Sequence, residues 1–267
     1  ELFCGYSRHI YGPKIWYLLR KIPFSLRKVF ANFIQKVPPS TWDNFYYFCE
    51  IFLPKYLKVN FPGNKLYKIS DLITYENLYE VYLSLISSWD SSENIVLKTN
   101  YSKFSNSFEF SEFKLNDNHQ LMYLDSINYL PNDILVKVDR AAMASSLETR
   151  IPLLDHRVVE FAWKTPLEMK LRNNQSKWIL RQVLKRYIPE NLVEGPKKGF
   201  DVPIAKWLRG PLKDWANELL DEKMINSQQY LLSSQIRKKW NAHLSGKYDW
   251  SKQLWTVLMF QAWLNKK

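Results

Sequence analysis

The chain has 267 residues, 46% of them apolar and 24% charged, a composition that supports a packed core and excludes disordered, collagen-like and membrane-spanning classes. Lys and Arg number 38 against 26 Asp and Glu, a net charge of +12 that admits phosphate, nucleic acid or acidic partners. Seven glycines, none in a GxGxxG or GxxxxGK[ST] arrangement, exclude a dinucleotide fingerprint or a Walker loop within these residues, and two cysteines with four histidines at no zinc-ligand spacing exclude a disulfide framework and a Cys/His metal site.

In chain order, Pro13 followed by Ile15, Trp16, Leu18, Leu19 and Ile22 has helical spacing, and Leu26, Val29, Phe30, Phe33 and Ile34 continue it past Pro23, which predicts two helices with a break. Val37-Pro38-Pro39-Ser40 stops the pattern and Thr41 can cap a helix over 42–53. Residues 54–68, with Pro54, Pro62 and Gly63, read as a loop, and Ser70 or Asp71 can cap a helix to about Trp89. Residues 90–117 form an irregular excursion. Helix returns over 119–129, and Pro131-Asn132-Asp133 predicts the start of another from Ile134 to Ser145. Thr149 to Leu154, held by Pro152, has the only extended character, and further helices are expected at 155–163, 177–187, 203–220, 235–244 and 251–264. The whole chain, 1–267, reads as one mainly α domain.

Two stretches could carry chemistry. In 130–157, Lys137, Asp139, Arg140, Glu148, Arg150, Asp155 and Arg157 are threaded through sequence apolar enough to be buried. Buried ions must be paired or face a ligand, so either an internal salt-bridge lattice or a site is implied. In Glu194-Gly195-Pro196-Lys197-Lys198-Gly199-Phe200-Asp201-Val202-Pro203, a constrained loop sets two ammonium groups side by side. Their mutual repulsion is relieved by an anion such as phosphate, although an exposed turn with two solvated lysines is the simpler account of the pattern.

These residues carry a resemblance. Glu1-Leu2-Phe3-Cys4-Gly5-Tyr6 is similar to the end of the Gly-Asp-Gly-(Gly/Ala)-Asp-Glu-(Leu/Val)-Phe-Gly-Gly-Tyr segment of glutamine-dependent asparagine synthetases. Lys137-Val138-Asp139-Arg140 with Met143, and Glu148-Thr149-Arg150-Ile151-Pro152-Leu153-Leu154-Asp155, resemble that family's Lys-Val-Asp-Arg…Met and Glu-x-Arg-x-Pro-(Phe/Leu)-Leu-Asp runs. Lys177, Leu180-Arg181, Pro189, Pro196-Lys197-Lys198-Gly199-Phe200, Pro203 and Trp207 follow in the family's order, whereas residues 7–129 carry almost none of the signature.

The resemblance implies the helical C-terminal portion of an α/β, PP-loop ATPase-like synthetase domain whose sheet-bearing part lies largely upstream. It implies an enzyme that uses ATP and magnesium to adenylate a small-molecule carboxylate, then transfers ammonia released by an N-terminal glutaminase domain. Lys197 falls at the family's catalytic lysine. Lys137, Asp139, Arg140, Glu148, Arg150, Asp155 and Lys198 fall in the substrate and ATP pocket, and Glu1 stands next to the magnesium ligands without being one. The pyrophosphate loop and glutaminase nucleophile are expected upstream, which would leave these residues inactive by themselves. No apolar run approaches the roughly 20 residues of a membrane span, no signal-peptide layout is visible and no nucleic-acid recognition motif accompanies the charge, so a cytoplasmic protein with no membrane or nucleic-acid partner is expected, and a homodimer is allowed. Cys4 departs from the family's usual glycine. A lactam-synthetase-type cyclase and a basic helical binding module remain alternatives.

Overall fold

The computed structural model describes residues 1–49, 62–89, 95–97, 115–193, 202–246 and 248–266. These are mainly α-helical, as expected, with a single small antiparallel sheet among the described residues, in which Leu171 pairs with Ser176 and Arg172 with Gln175. They divide into two compact units, one from 1–86 and 106–196, the other from 87–105 and 197–267.

The first unit begins with α1 (Ser7–Leu19) and α2 (Phe24–Lys36), separated at Pro23 as the spacing predicts. Helix α1 starts earlier than the proline signal suggests and carries Pro13 inside it. Helices α3 (Pro39–Cys49) and α4 (Pro62–Ile73) follow, and α4 packs against both α2 and α3. Part of the expected loop at 54–68 is therefore helix. The Gly63 amide at the start of α4 donates to Asp43 Oδ1 at 2.9 Å, so an orphan donor of the first turn is capped by another helix rather than by a neighbour in sequence. The remainder of that loop lies outside the described residues, as does most of the expected 90–117 excursion.

Helix α5 (Leu78–Ile86) and α6 (Asp117–Leu124) pack on α1. Leu78, Tyr82, Leu121 and Leu124 form a buried cluster with Trp16 against it. Gly12 lets α1 approach α6 closely, since a Cβ there would lie 2.7 Å from Leu121 Cδ1. The predicted break at Pro131 does not occur. Helix α6 runs without interruption into a π-helical segment, Asp125–Leu135, and then α7 (Val136–Met143). Proline has no N–H to donate and its ring collides with the carbonyl four residues back; the wider turn accommodates both, so the helix continues.

Beyond α7, Pro152–Leu154 make a 3-10 turn, followed by α8 (His156–Lys164), α9 (Leu167–Lys170) and, after the hairpin, α10 (Trp178–Leu184) and α11 (Glu190–Val193). Leu2, Phe3 and Ala162 form a second buried cluster, with Leu154, Val158, Trp163, Ile179 and Leu180 against it. Cys4 beside it has φ of 58°, a left-handed backbone that favours glycine and gives a physical reason for glycine at this position in the resembling segment.

The second unit joins Ile95–Leu97 to the C-terminal helices through the Val96–Leu231 bridge. The expected helix at 203–220 is two helices, α12 (Ile204–Arg209) and α13 (Lys213–Leu219), divided at Gly210-Pro211. With α14 (Glu222–Gln228), α15 (Ser233–Leu244) and α16 (Ser251–Leu264) they surround a core of Leu208, Leu220, Ile225, Ile236, Trp240, Leu254 and Leu258. His243 is fully buried here, stacked on Trp240, and its Nδ1 accepts from the Trp250 amide at 3.3 Å. Burial, reinforced by the charge of Arg209, holds its pKa down.

In the first unit Lys170 is also fully buried, its Nζ 3.4 Å from His119 Nε2 and 5.5 Å from the centre of the Trp163 ring. Burial lowers its pKa from 10.5 to about 8. The unfolded chain therefore binds more protons than the folded one between those values, and this lysine's unfavourable contribution fades as pH rises through that window. Lys170→Met is expected to raise unfolding free energy by about 1–3 kcal/mol near neutral pH. In chemical denaturation, the gap between variant and wild type should narrow from about pH 8 to about pH 10.5; a gap independent of pH would show that the ammonium is not penalised by burial.

Candidate active site and a buried network

The residues of the Lys-Val-Asp-Arg run sit on α7, and those of the Glu-x-Arg-x-Pro run on the extended stretch and 3-10 turn that follow. The two runs meet at an open cleft of about 430 Å³ lined by Pro131, Leu135, Val138, Asp139, Thr149 and Ile151, among others. Asp139 is thus placed at the cleft. Lys137 and Arg140 lie beside it on α7, and Glu148 and Arg150 flank the lining residue Thr149.

Of the two readings of 130–157, a buried lattice is not what forms: these charges lie at or near the surface, and Lys137, Glu148, Arg150, Asp155 and Arg157 are in separate local pairs. Lys137 Nζ is 2.8 Å from Asp133 Oδ1, one helical turn back, and Arg150 Nη2 is 2.7 Å from Glu148 Oε1. Asp155 caps α8 by accepting the Arg157 amide at 2.9 Å, and also accepts from Arg157 Nε and Nη2. The Arg157 guanidinium and amide together hold its carboxyl below the usual range. Apolar residues of the same runs are exposed with them, including Met143, Leu147 and Leu153. Helix α7 has no buried residue at all. Lys197 and Lys198 lie outside the described residues.

Glu1 does not stand in a cluster of acids. Its Oε1 accepts from the Tyr6 hydroxyl at 2.8 Å, and among the described residues no group of three His, Cys, Asp or Glu is arranged to hold a metal ion. The described residues do not fit a magnesium site.

Earlier on the same continuous helix lies a network that the sequence did not disclose. Asp125, fully buried in the first turn of the π segment, accepts from Arg8 Nε at 3.0 and 2.8 Å and lies 2.6 Å from His9 Nε2. Burial alone would push its carboxyl up, but the bonds from His9 and Arg8 outweigh it and hold the pKa low. For His9, burial dominates and lowers the pKa despite Asp125. Arg8 already neutralises the carboxylate, so a neutral imidazole donating from Nε2 leaves only the Nδ1 lone pair unpaired, which is cheaper than burying a second cation. The Arg8 guanidinium lies 4.0 Å from the centre of the Tyr6 ring and 4.3 Å from that of Tyr129. A chain of contacts thus runs from Glu1 through Tyr6 and Arg8 to Asp125, at the root of the helix that carries Asp139. The signal available in the sequence was an adjacent Arg8-His9 pair directly after the Gly5-Tyr6 motif, with its acid 117 positions away from Arg8.

A helix bearing Lys-Val-Asp-Arg and a loop bearing Glu-x-Arg-x-Pro around one cleft define the class: a mainly α portion of a synthetase domain. Residues 1–265 match the family model described as Asparagine synthase, and the chain belongs to that family. It is 34% identical over 147 residues to asparagine synthetase [glutamine-hydrolyzing] 1 of Bacillus subtilis, covering 55% of this chain and 23% of that protein. It is 34% identical over 145 residues to a putative asparagine synthetase [glutamine-hydrolyzing] of Mycobacterium tuberculosis, covering 54% of this chain and 22% of that protein. It is 28% identical over 131 residues to the amidase chyE of Penicillium rubens, covering 46% and 18% respectively. The chain thus spans less than a quarter of the length of these relatives. No solved structure matches it.

The two kinds of ion pair should separate cleanly in denaturation experiments. Asp125→Ala leaves Arg8 buried without its carboxylate and is expected to cost about 3–5 kcal/mol. Lys137→Ala removes an exposed pair and should cost under about 1 kcal/mol. Comparable losses for the two would contradict the placement of Asp125 at the centre of the unit.

Proposed function

We propose that these residues form the acceptor-side, helical portion of an ATP-dependent amidotransferase that activates a carboxylate as its acyl-adenylate and lets ammonia displace AMP, with aspartate as acceptor, glutamine as nitrogen source and asparagine as product. The observation that carries this reading is the convergence of two family motifs on the Asp139 cleft. The names of the Bacillus and Mycobacterium relatives support the choice of acceptor and nitrogen donor.

The chemistry ATP supplies is activation of a poor electrophile by attaching AMP as a leaving group. The residues of this chain must neutralise charge that grows on the carboxylate and phosphate oxygens, and preplaced cations do this without reorganisation. Lys197 is assigned that role, with Lys198 beside it. The donor set around the cleft fits an anionic ligand: Lys137, Arg140 and Arg150 are exposed cations on the segments that frame it, and none is committed to a buried partner. The apolar lining from Pro131, Leu135, Val138 and Ile151 limits water around a hydrolysable intermediate. Asp139 offers a carboxylate to the ammonium group of an amino-acid acceptor. Because the described residues do not fit magnesium, no step is assigned through it.

The protein that contains these residues, in full length, should release equal amounts of AMP and asparagine from ATP, aspartate and glutamine. Lys197→Met should lower kcat by about 100-fold or more while leaving the thermal midpoint unchanged. Asp139→Asn should act mainly on the KM for aspartate. Near-normal turnover in Lys197→Met would remove that lysine from the chemistry, and AMP release that depends on a different carboxylate would reassign the acceptor.

A further inference from the structure

Helix α2 buries one face and leaves another uncovered. Arg27 and Ala31 are its buried residues, and Arg27 Nη1 donates to the carbonyls of Ile73 and Tyr75 at the end of α4 and just beyond it. On the opposite side Leu26, Val29, Phe30 and Phe33, spaced one helical turn apart, are 51–65% exposed. The Phe33 ring meets Trp42 edge-on at 6.2 Å, and Phe45, one turn further along α3, is 62% exposed, so the apolar stripe continues from α2 onto α3.

The charge along α2 has one sign, and Asp43, between Trp42 and Phe45 on α3, is the first acid after it in sequence and accepts from the Gly63 amide. Residues 2–42 contain seven Lys or Arg and no Asp or Glu. Lys21 before α2, Lys28 within it and Lys36 at its end are exposed, and among the described residues no carboxylate pairs with them. Scattered exposed hydrophobics need no partner, but a contiguous aromatic stripe does. The stripe is an exposed helix face accompanied by long basic side chains, the form suited to an anionic layer with an apolar interior. No helix among the described residues is long and apolar enough to cross a membrane, and lying on its surface requires none.

We propose that the α2–α3 face docks this protein on an anionic phospholipid surface, with Phe30 and Phe33 entering the acyl boundary and Lys21, Lys28 and Lys36 engaging headgroup phosphates. This departs from the absence of a membrane partner expected from the sequence, and it does not depend on the catalytic reading above.

The test is co-sedimentation of the purified chain with vesicles of phosphatidylcholine alone or containing phosphatidylglycerol. Binding is expected only with phosphatidylglycerol and should weaken as salt is raised. Phe30→Ser with Phe33→Ser should reduce the partition coefficient about tenfold or more without changing the thermal midpoint, because both side chains are already exposed. Lys28→Glu with Lys36→Glu should reduce it by at least about fivefold per site. No binding, binding indifferent to phosphatidylglycerol, or full binding by the Phe30/Phe33 variant would each overturn the proposal. So would a dimer in sedimentation velocity that the Phe30/Phe33 substitutions dissolve while vesicle binding is absent, since the stripe would then be a contact between two copies.

Discussion

A single buried carboxylate organises the first unit. Asp125 is fully enclosed, and its charge is tolerable only because Arg8 and His9 reach it from α1. Arg8 is in turn held between the rings of Tyr6 and Tyr129, and Tyr6 fixes Glu1. The N-terminal motif, α1 and the root of the long helix through α7 are therefore set by one electrostatic requirement. Moving any of them would leave an uncompensated ion in a low-dielectric interior, a larger penalty than the loss of any one apolar contact among them.

The family motifs follow a different logic. Around the cleft, charges are paired locally and openly, each pair contributing little to stability, and α7 buries nothing. A helix that contributes so little to the core while presenting Lys137, Asp139 and Arg140 is anchored at its root and spent on whatever meets it from outside. A buried anchor and exposed charge held only in weak local pairs is an arrangement suited to preorganised electrostatic binding.

What could be read in advance followed from local rules. The break at Pro23, a helix beginning near Asp155 and the two final helices were all legible, because proline sterics and 3.6-residue periodicity act within a few positions. The failures were cases in which a distant residue overruled a local signal. Helix α4 forms through a cap supplied by Asp43, Pro131 is absorbed by a wide turn, and Asp125 finds partners that no window of sequence would bring together. The charges of 137–157 were misjudged as buried because their apolar neighbours suggested a core, whereas Met143, Leu147 and Leu153 are themselves exposed. The motifs lie on segments that line a cleft, and tertiary structure was needed to show that Asp139 is among the residues lining it.

The π-helical passage from Asp125 to Leu135 also sets an angular register. A π turn holds more residues than an α turn, so Asp125 and Asp139 are related by a rotation that a regular helix of the same length would not give. Each residue of an α-helix turns the chain by about 100°, and deleting one position between them would leave a continuous helix yet swing the Lys137–Arg140 run away from the cleft. The spacing between the buried anchor and the cleft residues is thus far less tolerant of insertion or deletion than of substitution, and homologous chains that keep both should keep the number of residues between them.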